Sequence, residues 1–169
     1  MKAISLVLCM VLLMVMPCIV DAKDYSEKIG PYEVSFKLPD EIASTIEVNK
    51  TITRGETLDG TPYNMYSIGL PLVGWIEVRD FNRTWELDLD KMTETMKGLG
   101  KGNGYTCSSA HRIIDDREGV ISYCFGSERY TTYYEFAYQQ DNHTTVEGRL
   151  YLDWEATLPF LKSLHVREL

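Results

Sequence analysis

The clearest pattern along the chain is an alternation of apolar and polar side chains between residues 32 and 38. The apolar positions of this segment, YEVSFKL, are Tyr32, Val34, Phe36 and Leu38. A period of two is typical of a strand that buries one face. The Pro-Asp pair at 39–40 then ends the strand.

Apolar and β-branched runs between turn residues predict further strands, most of them joined as hairpins. The polar tetrapeptides at 115–118 and 140–143 are predicted hairpin turns. The predicted strands are 45–54, 63–69, 73–81, 105–114, 119–125, 128–139 and 144–152.

Between the strands the period changes once to that of a helix. Leu89, Met92, Met96 and Leu99 follow one another at spacings of three and four, which places them on one helix face. Asp88 is the predicted N-cap, and a glycine at 98 or 100 is predicted to end the helix.

A second amphipathic helix is predicted at the C-terminus. Its apolar face contains Trp154, Leu158, Leu161 and Leu164. Asp153 is the predicted cap and His165 is placed near the helix end. Pro159 is expected in or near the first turn, since it would kink the helix further in. Together the elements predict an α+β fold with a mostly antiparallel sheet.

The first 22 residues have the features of a signal peptide. Lys2 precedes an apolar run from residue 4 to 20, and Val20-Asp21-Ala22 fits a cleavage site. We expect cleavage after Ala22, with an uncleaved anchor and lipidation of Cys18 as alternatives. Residues 23–30 are then a short polar arm, and 31–169 form a single domain.

The formal net charge of −8 narrows the classes of binding partner that we expect. An acidic chain without a basic cluster is not expected to bind nucleic acid or an anionic lipid surface. No second long apolar segment follows the leader, so membrane attachment is expected only through an uncleaved leader.

Removal of the leader leaves two cysteines, Cys107 and Cys124, on the two strands of one predicted hairpin. In an oxidising compartment this pair predicts a disulfide. If Ile114 pairs with Arg117, Cys107 lies directly opposite Cys124, and a one-step shift makes them diagonal neighbours. The alternative is a metal site with Cys107, His111 and Cys124 as ligands, although the segment has no closely spaced pair such as C-x2-C, which zinc sites normally have.

Three Asn-x-Thr sequons agree with export and are candidate N-glycosylation sites. Their asparagines are Asn49, Asn82 and Asn142.

Aromatic residues are concentrated in the segment from 123 to 154. Tyr130, Tyr134, Phe136 and Tyr138 share one face of a predicted strand, and Tyr123, Phe125, Tyr151 and Trp154 lie close to them. Such a row suits a core beneath the C-terminal helix and also suits ligand stacking; the core interpretation is preferred. Tyr133 points to the opposite face and is the better candidate for an exposed contact, with Tyr134 and Tyr138 as further candidate contacts.

The sequence shows no pattern that supports catalysis or a resident cofactor. No nucleophile elbow, free thiol beside a histidine or H-E-x-x-H motif is present. Glu86, Asp88 and Asp90 are interpreted as residues at a helix start, because a calcium loop would need converging oxygens and a glycine. We therefore expect no catalytic residues, no metal and no enzyme activity.

The two ends of the domain resemble the PsbP-like superfamily. YEVSFKLPDE at 32–41 is similar to its aromatic first strand and Pro turn, and the segment from Phe160 to Val166 is similar to its closing helix. The resemblance implies an α-β-α sandwich and a mostly non-catalytic class of extrinsic, exported and adaptor proteins. The cysteine pair and the sequons are not part of that pattern.

These observations predict a secreted or cell-surface accessory domain. The leading hypothesis is a binding domain for an unidentified envelope or extracellular protein. The second is a carrier that holds a small apolar or sugar ligand between sheet and helix, and an unrecognised hydrolase is third.

Overall fold

The structure is a computed structural model that describes residues 22–126 and 132–169. The predicted leader lies outside the described residues except for Ala22. Tyr130, the first part of the strand predicted at 128–139 and the side chain of Leu99 lie outside them as well.

A three-stranded antiparallel sheet forms one layer, in the order β1-β2-β10. Its strands are β1 Ala22–Ile29, β2 Tyr32–Pro39 and β10 His165–Glu168. The strand predicted at 32–38 is therefore confirmed. A turn at Gly30 and Pro31 connects β1 to β2, and Gly30 has a φ of 57°, a value that favours glycine.

Two predictions about the ends of the domain were wrong. Residues 23–30 are not a polar arm, because β1 pairs with β2 along its whole length and Tyr25 stacks on Phe36. The C-terminal helix ends at Ser163, before Leu164 of its predicted apolar face, and His165, which does lie near that end, begins β10, where Val166 is buried beside β2. Both β1 and β10 are held by pairing with β2, which a local sequence pattern does not reveal.

A seven-stranded antiparallel sheet forms the second layer, in the order β3-β4-β5-β9-β8-β7-β6. Each strand predicted within 45–152 has a counterpart in it, with the ends displaced by a few residues. The strands are β3 Asn49–Glu56, β4 Pro62–Leu70, β5 Gly74–Phe81, β6 Tyr105–Ile114, β7 Arg117–Gly126, β8 Tyr133–Gln139 and β9 Thr144–Leu150.

Three helices accompany the sheets: α1 Asp40–Ala43, α2 Leu89–Gly102 and α3 Trp154–Ser163. The predicted caps are confirmed, since Asp88 accepts a hydrogen bond from the Lys91 amide and Asp153 from the Ala156 amide. Two other helix predictions were wrong. The helix α2 does not end at Gly98 or Gly100 but continues to Gly102, and Pro159 lies inside α3, beyond its first turn. A glycine costs a helix only about 1 kcal/mol, so the packing of α2 on β6 and β7 outweighs it.

The main core lies between the small sheet with α3 and one face of the large sheet. The rings of Phe36 and Phe160 lie 5.1 Å apart, and the Tyr32 and Thr144 hydroxyls are 3.2 Å apart across the layers. On the other face of the large sheet, Met96 of α2 packs with Val120 and Ala137. The α+β class with a mostly antiparallel sheet is thus confirmed.

Among the described residues, none of the helices has the length and apolar content needed to cross a membrane.

Candidate functional site

The hairpin of β6 and β7 contains the disulfide that the sequence predicts. Ile114 pairs with Arg117, and Cys107 lies opposite Cys124 in the same register. The two sulfur atoms are bonded to each other. Since both thiols are consumed in this bond, they do not serve as metal ligands beside His111, whose ring nitrogens lie 3.5 Å from Asp90 and from Glu118.

Tyr138, a candidate contact from the sequence, is part of the core. Its side chain is fully buried, and its hydroxyl donates a hydrogen bond to Asp115 at 3.0 Å. The same carboxylate accepts from the Val166 amide at 3.0 Å and is paired with His165. Burial raises the pKa of Tyr138 well above its usual value, with the Asp115 charge adding to the shift. This cluster fastens the β6–β7 turn to β10 and leaves no surface for a ligand at Tyr138.

Tyr133 was expected to be exposed, and that expectation was wrong. Its side chain is only 4 % exposed, because the guanidinium of Arg149 lies 4.4 Å from its ring centre and Tyr105 packs edge-on at 4.9 Å. Arg149 is itself held by Glu135 on the neighbouring strand. Long polar side chains can cover an aromatic ring as effectively as apolar ones, which alternation alone does not show.

A ladder of charged side chains continues across this face of the large sheet. Arg79 donates to Glu147 at 2.8 Å and to Glu77 at 3.0 Å. Burial raises the pKa of Glu147; the Arg79 charge opposes this rise, whereas the charges of Glu77 and Glu135 add to it. The sequence did not single out these carboxylates, which come together only through strand register. Because arginines lie between them, we interpret the ladder as an ion-pair network that covers the sheet face.

On the opposite face, four aromatic side chains of the described residues form a continuous group, which we call the aromatic surface. Its members are Tyr123, Phe125, Tyr134 and Trp154. The rings of Tyr123 and Phe125 lie 5.9 Å apart, those of Tyr123 and Tyr134 5.1 Å, and those of Tyr134 and Trp154 5.4 Å. Tyr134, a candidate contact, is buried in the middle, whereas Tyr123, Phe125 and Trp154 are 39, 45 and 43 % exposed.

The position of α3 explains why these rings are uncovered. The helix begins at Trp154 and packs on β2 through Phe160, so it covers the middle of the large sheet. Along β7, burial decreases from Gly119 through Ile121 to Tyr123 and Phe125, all of which share one strand face. The aromatic surface therefore lies at the end of the large sheet where α3 begins, and only the first residue of α3, Trp154, reaches it.

Within the described residues, the polar side chains that border the aromatic surface are uncharged or acidic. Thr106 and Ser108 lie opposite Phe125 and Tyr123 on β6, and both are exposed. Asp153 and Glu155 lie beside Trp154 and are exposed as well. The arrangement offers apolar area with hydroxyl and carboxylate groups at its border, which suits recognition more than chemical catalysis.

The three sequon asparagines are exposed and lie away from the aromatic surface. Asn82 and Asn142 flank the opposite end of the sheet, where the Trp85 amide donates to the Asn142 carbonyl at 2.8 Å. Asn49 is in β3, at the other edge of the large sheet from β6. Glycans at these positions would leave the aromatic surface open.

Comparisons with known proteins found no family model that matches the chain, and no match among curated proteins or solved structures.

Proposed function

We propose that the protein is an exported, non-catalytic binding domain that contacts an envelope or extracellular protein through the aromatic surface. The observation that carries the proposal is the group of three neighbouring exposed aromatic rings, Tyr123, Phe125 and Trp154. Tyrosine and tryptophan are enriched among the residues that dominate binding energy. Contiguous exposed apolar area on a small domain also marks interaction sites more often than isolated apolar residues do.

Export belongs to the same proposal. A leader that is cleaved after Ala22 would deliver the chain to an oxidising compartment, and the Cys107–Cys124 disulfide is compatible with an extracellular location. N-glycosylation at Asn49, Asn82 and Asn142 would follow in a host with the required enzymes. The relationship to PsbP-like proteins and their α-β-α sandwich is proposed on the two chain ends alone.

A contact surface is better supported than a ligand carrier. A carrier would need open space beside Tyr134 and Tyr138, between sheet and helix. Tyr138 is instead fully buried with its hydroxyl on Asp115, and Tyr134 is packed between Tyr123 and Trp154.

We expect the double variant Tyr123→Ser/Phe125→Ser to weaken partner binding by about tenfold or more. Truncation of a central aromatic side chain at an interface commonly costs more than about 1 kcal/mol, and about 1.4 kcal/mol corresponds to tenfold in affinity. The measurement is the concentration for half-maximal retention of tagged protein on the envelope and extracellular fraction of cells that produce it.

The matched control is Leu58→Ser/Ile113→Ser, which removes two apolar side chains that are exposed elsewhere on the domain. This control should bind like the natural protein. Equal weakening of both variants, or unchanged binding of the aromatic variant with an intact fold, would refute the aromatic surface as the contact site.

A further inference from the structure

The strand β3 forms an uncovered edge of the large sheet. It pairs with β4 on one side, and within the described residues no strand pairs with its other side. Every residue from Asn49 to Thr53 is exposed, including Ile52, which is 61 % exposed. An edge with unpaired amides and carbonyls is a template for a further strand.

The other sheet edges are less suited to self-pairing. At β1 the ammonium of Lys50 donates to the Lys28 carbonyl at 3.2 Å, so one acceptor of this strand is already engaged. The strand β6 carries His111 and Arg112 but no carboxylate, and α2 packs on it. The strand β10 has only four residues.

The charges and the length of β3 together favour one register for pairing with a copy of itself. In a two-fold antiparallel pair, side chains that face the same way must lie opposite each other. When Thr53 lies opposite Thr53 of the second copy, Lys50 lies opposite Glu56 and Ile52 lies opposite Arg54. Each copy contributes one Lys50 and one Glu56, so two Lys50–Glu56 ion pairs form across the contact.

The neighbouring registers lack this complementarity. A shift in one direction places Lys50 opposite Arg54, and a shift in the other places Arg54 opposite Arg54 of the second copy. Like charges directly opposite each other destabilise a strand pair. A further shift beyond the first of these registers sets Lys50 against Ile52, which forms no ion pair. A further shift beyond the second sets Arg54 against Glu56, but only the last three residues of each strand then overlap.

We propose that a second copy of this chain pairs antiparallel with β3, with Thr53 on the two-fold axis, and continues the large sheet across the contact. Lys50, which lies 2.8 Å from Glu27 of its own chain, then lies between Glu27 and Glu56 of the second copy. Ile52 packs on the aliphatic part of Arg54 of the second copy, which removes apolar area from water.

The contact is small, so the dimer is weak. It consists of one strand per chain and lies at the low end of specific interfaces. The monomer and dimer should therefore exchange, with the dimer fraction rising as the protein concentration rises. The dimer does not depend on the aromatic surface. If the protein proved to be monomeric, the proposed binding function would be unaffected.

A cysteine at position 53 tests the register. Directly opposed residues of an antiparallel pair have Cα atoms about 4.5–5.5 Å apart, which a disulfide can span. We expect Thr53→Cys to form a covalent dimer under mild oxidation, as measured by non-reducing electrophoresis and mass spectrometry. Thr51→Cys is the matched control, because Thr51 lies opposite Gly55 and about 13 Å along the strand from Thr51 of the second copy.

The proposed dimer is that of the chain without a glycan at Asn49, because such a glycan would lie on the same strand face as Thr53 and hinder the pairing. Both cysteine variants therefore also carry Asn49→Gln. Glu56→Lys should reduce the covalent dimer of Thr53→Cys severalfold, whereas Glu41→Lys, with the same charge change on α1, should not. Monomeric Thr53→Cys at high concentration, or equal crosslinking of Thr51→Cys, would overturn the proposal. An equal effect of the two lysine substitutions would overturn it too.

Discussion

Replacement of both hairpin cysteines, Cys107→Ser/Cys124→Ser, is expected to lower the free energy of unfolding by about 2–5 kcal/mol, the loss typical of native bridges in small exported domains. The bond closes a loop between residues 17 apart in sequence, and restriction of the unfolded chain alone accounts for roughly 3 kcal/mol at that length. Cys124 is also fully buried, so the serine hydroxyl there needs a new partner. Urea denaturation of the natural and variant proteins measures the difference.

The neighbouring cross-strand pair supplies the control for this experiment. Ser109 and Ser122 lie opposite each other two residues further along the same hairpin and are hydrogen-bonded. Removal of both hydroxyls in Ser109→Ala/Ser122→Ala should cost less than about 1.5 kcal/mol, because neither partner is left unsatisfied. A disulfide variant that is no less stable than this serine control would show that the bond does not stabilise the fold.

Phe136→Ala is expected to cost about 3–5 kcal/mol of unfolding free energy, as truncation of a buried phenylalanine usually does. Phe136 is fully buried in the middle of β8, and its ring lies over Gly148 on β9, where a Cβ atom would overlap it. Loss of the ring leaves a cavity that Gly148 has no side chain to fill. Thermal and urea denaturation provide the measurement.

Phe125→Ala is the matched control, because it removes the same side chain from an exposed position on the next strand. This substitution should lower the free energy of unfolding by less than about 1 kcal/mol, because Phe125 belongs to the exposed aromatic surface and not to the core. Equal losses for the two substitutions would mean that the division between core and aromatic surface is wrong.

The elements that were predictable from the sequence are those with a local signal. The alternation in β2, the 3–4 spacing in α2 and the polar turn at 115–118 each report on the structure of their own segment. The sequence left two registers open for the β6–β7 hairpin, both of which bring Cys107 close to Cys124, and the structure has the one with Ile114 opposite Arg117. The strands β1 and β10, which are rich in polar residues, carry no such signal and form because β2 lies between them.

The aromatic row shows why the candidate site could be predicted only in part. Tyr134 and Tyr138 share a strand face, yet Tyr138 is sealed by Asp115 while Tyr134 adjoins exposed rings. The difference depends on where α3 begins and how far it reaches, which is a tertiary property. The burial of Tyr133 likewise depends on Arg149 from another strand. The alternation along a strand predicts on which face of the sheet a side chain lies, but it does not predict which residues cover that face.

The central claim is that this domain functions outside the reducing cytosol, and mass spectrometry of the natural protein under non-reducing conditions tests it most directly. We expect a chain that begins at Lys23 and yields a cross-linked peptide pair containing Cys107 and Cys124, with no free thiol at either residue. A chain that retains residues 1–22 and in which both cysteines are alkylated without prior reduction would contradict the account.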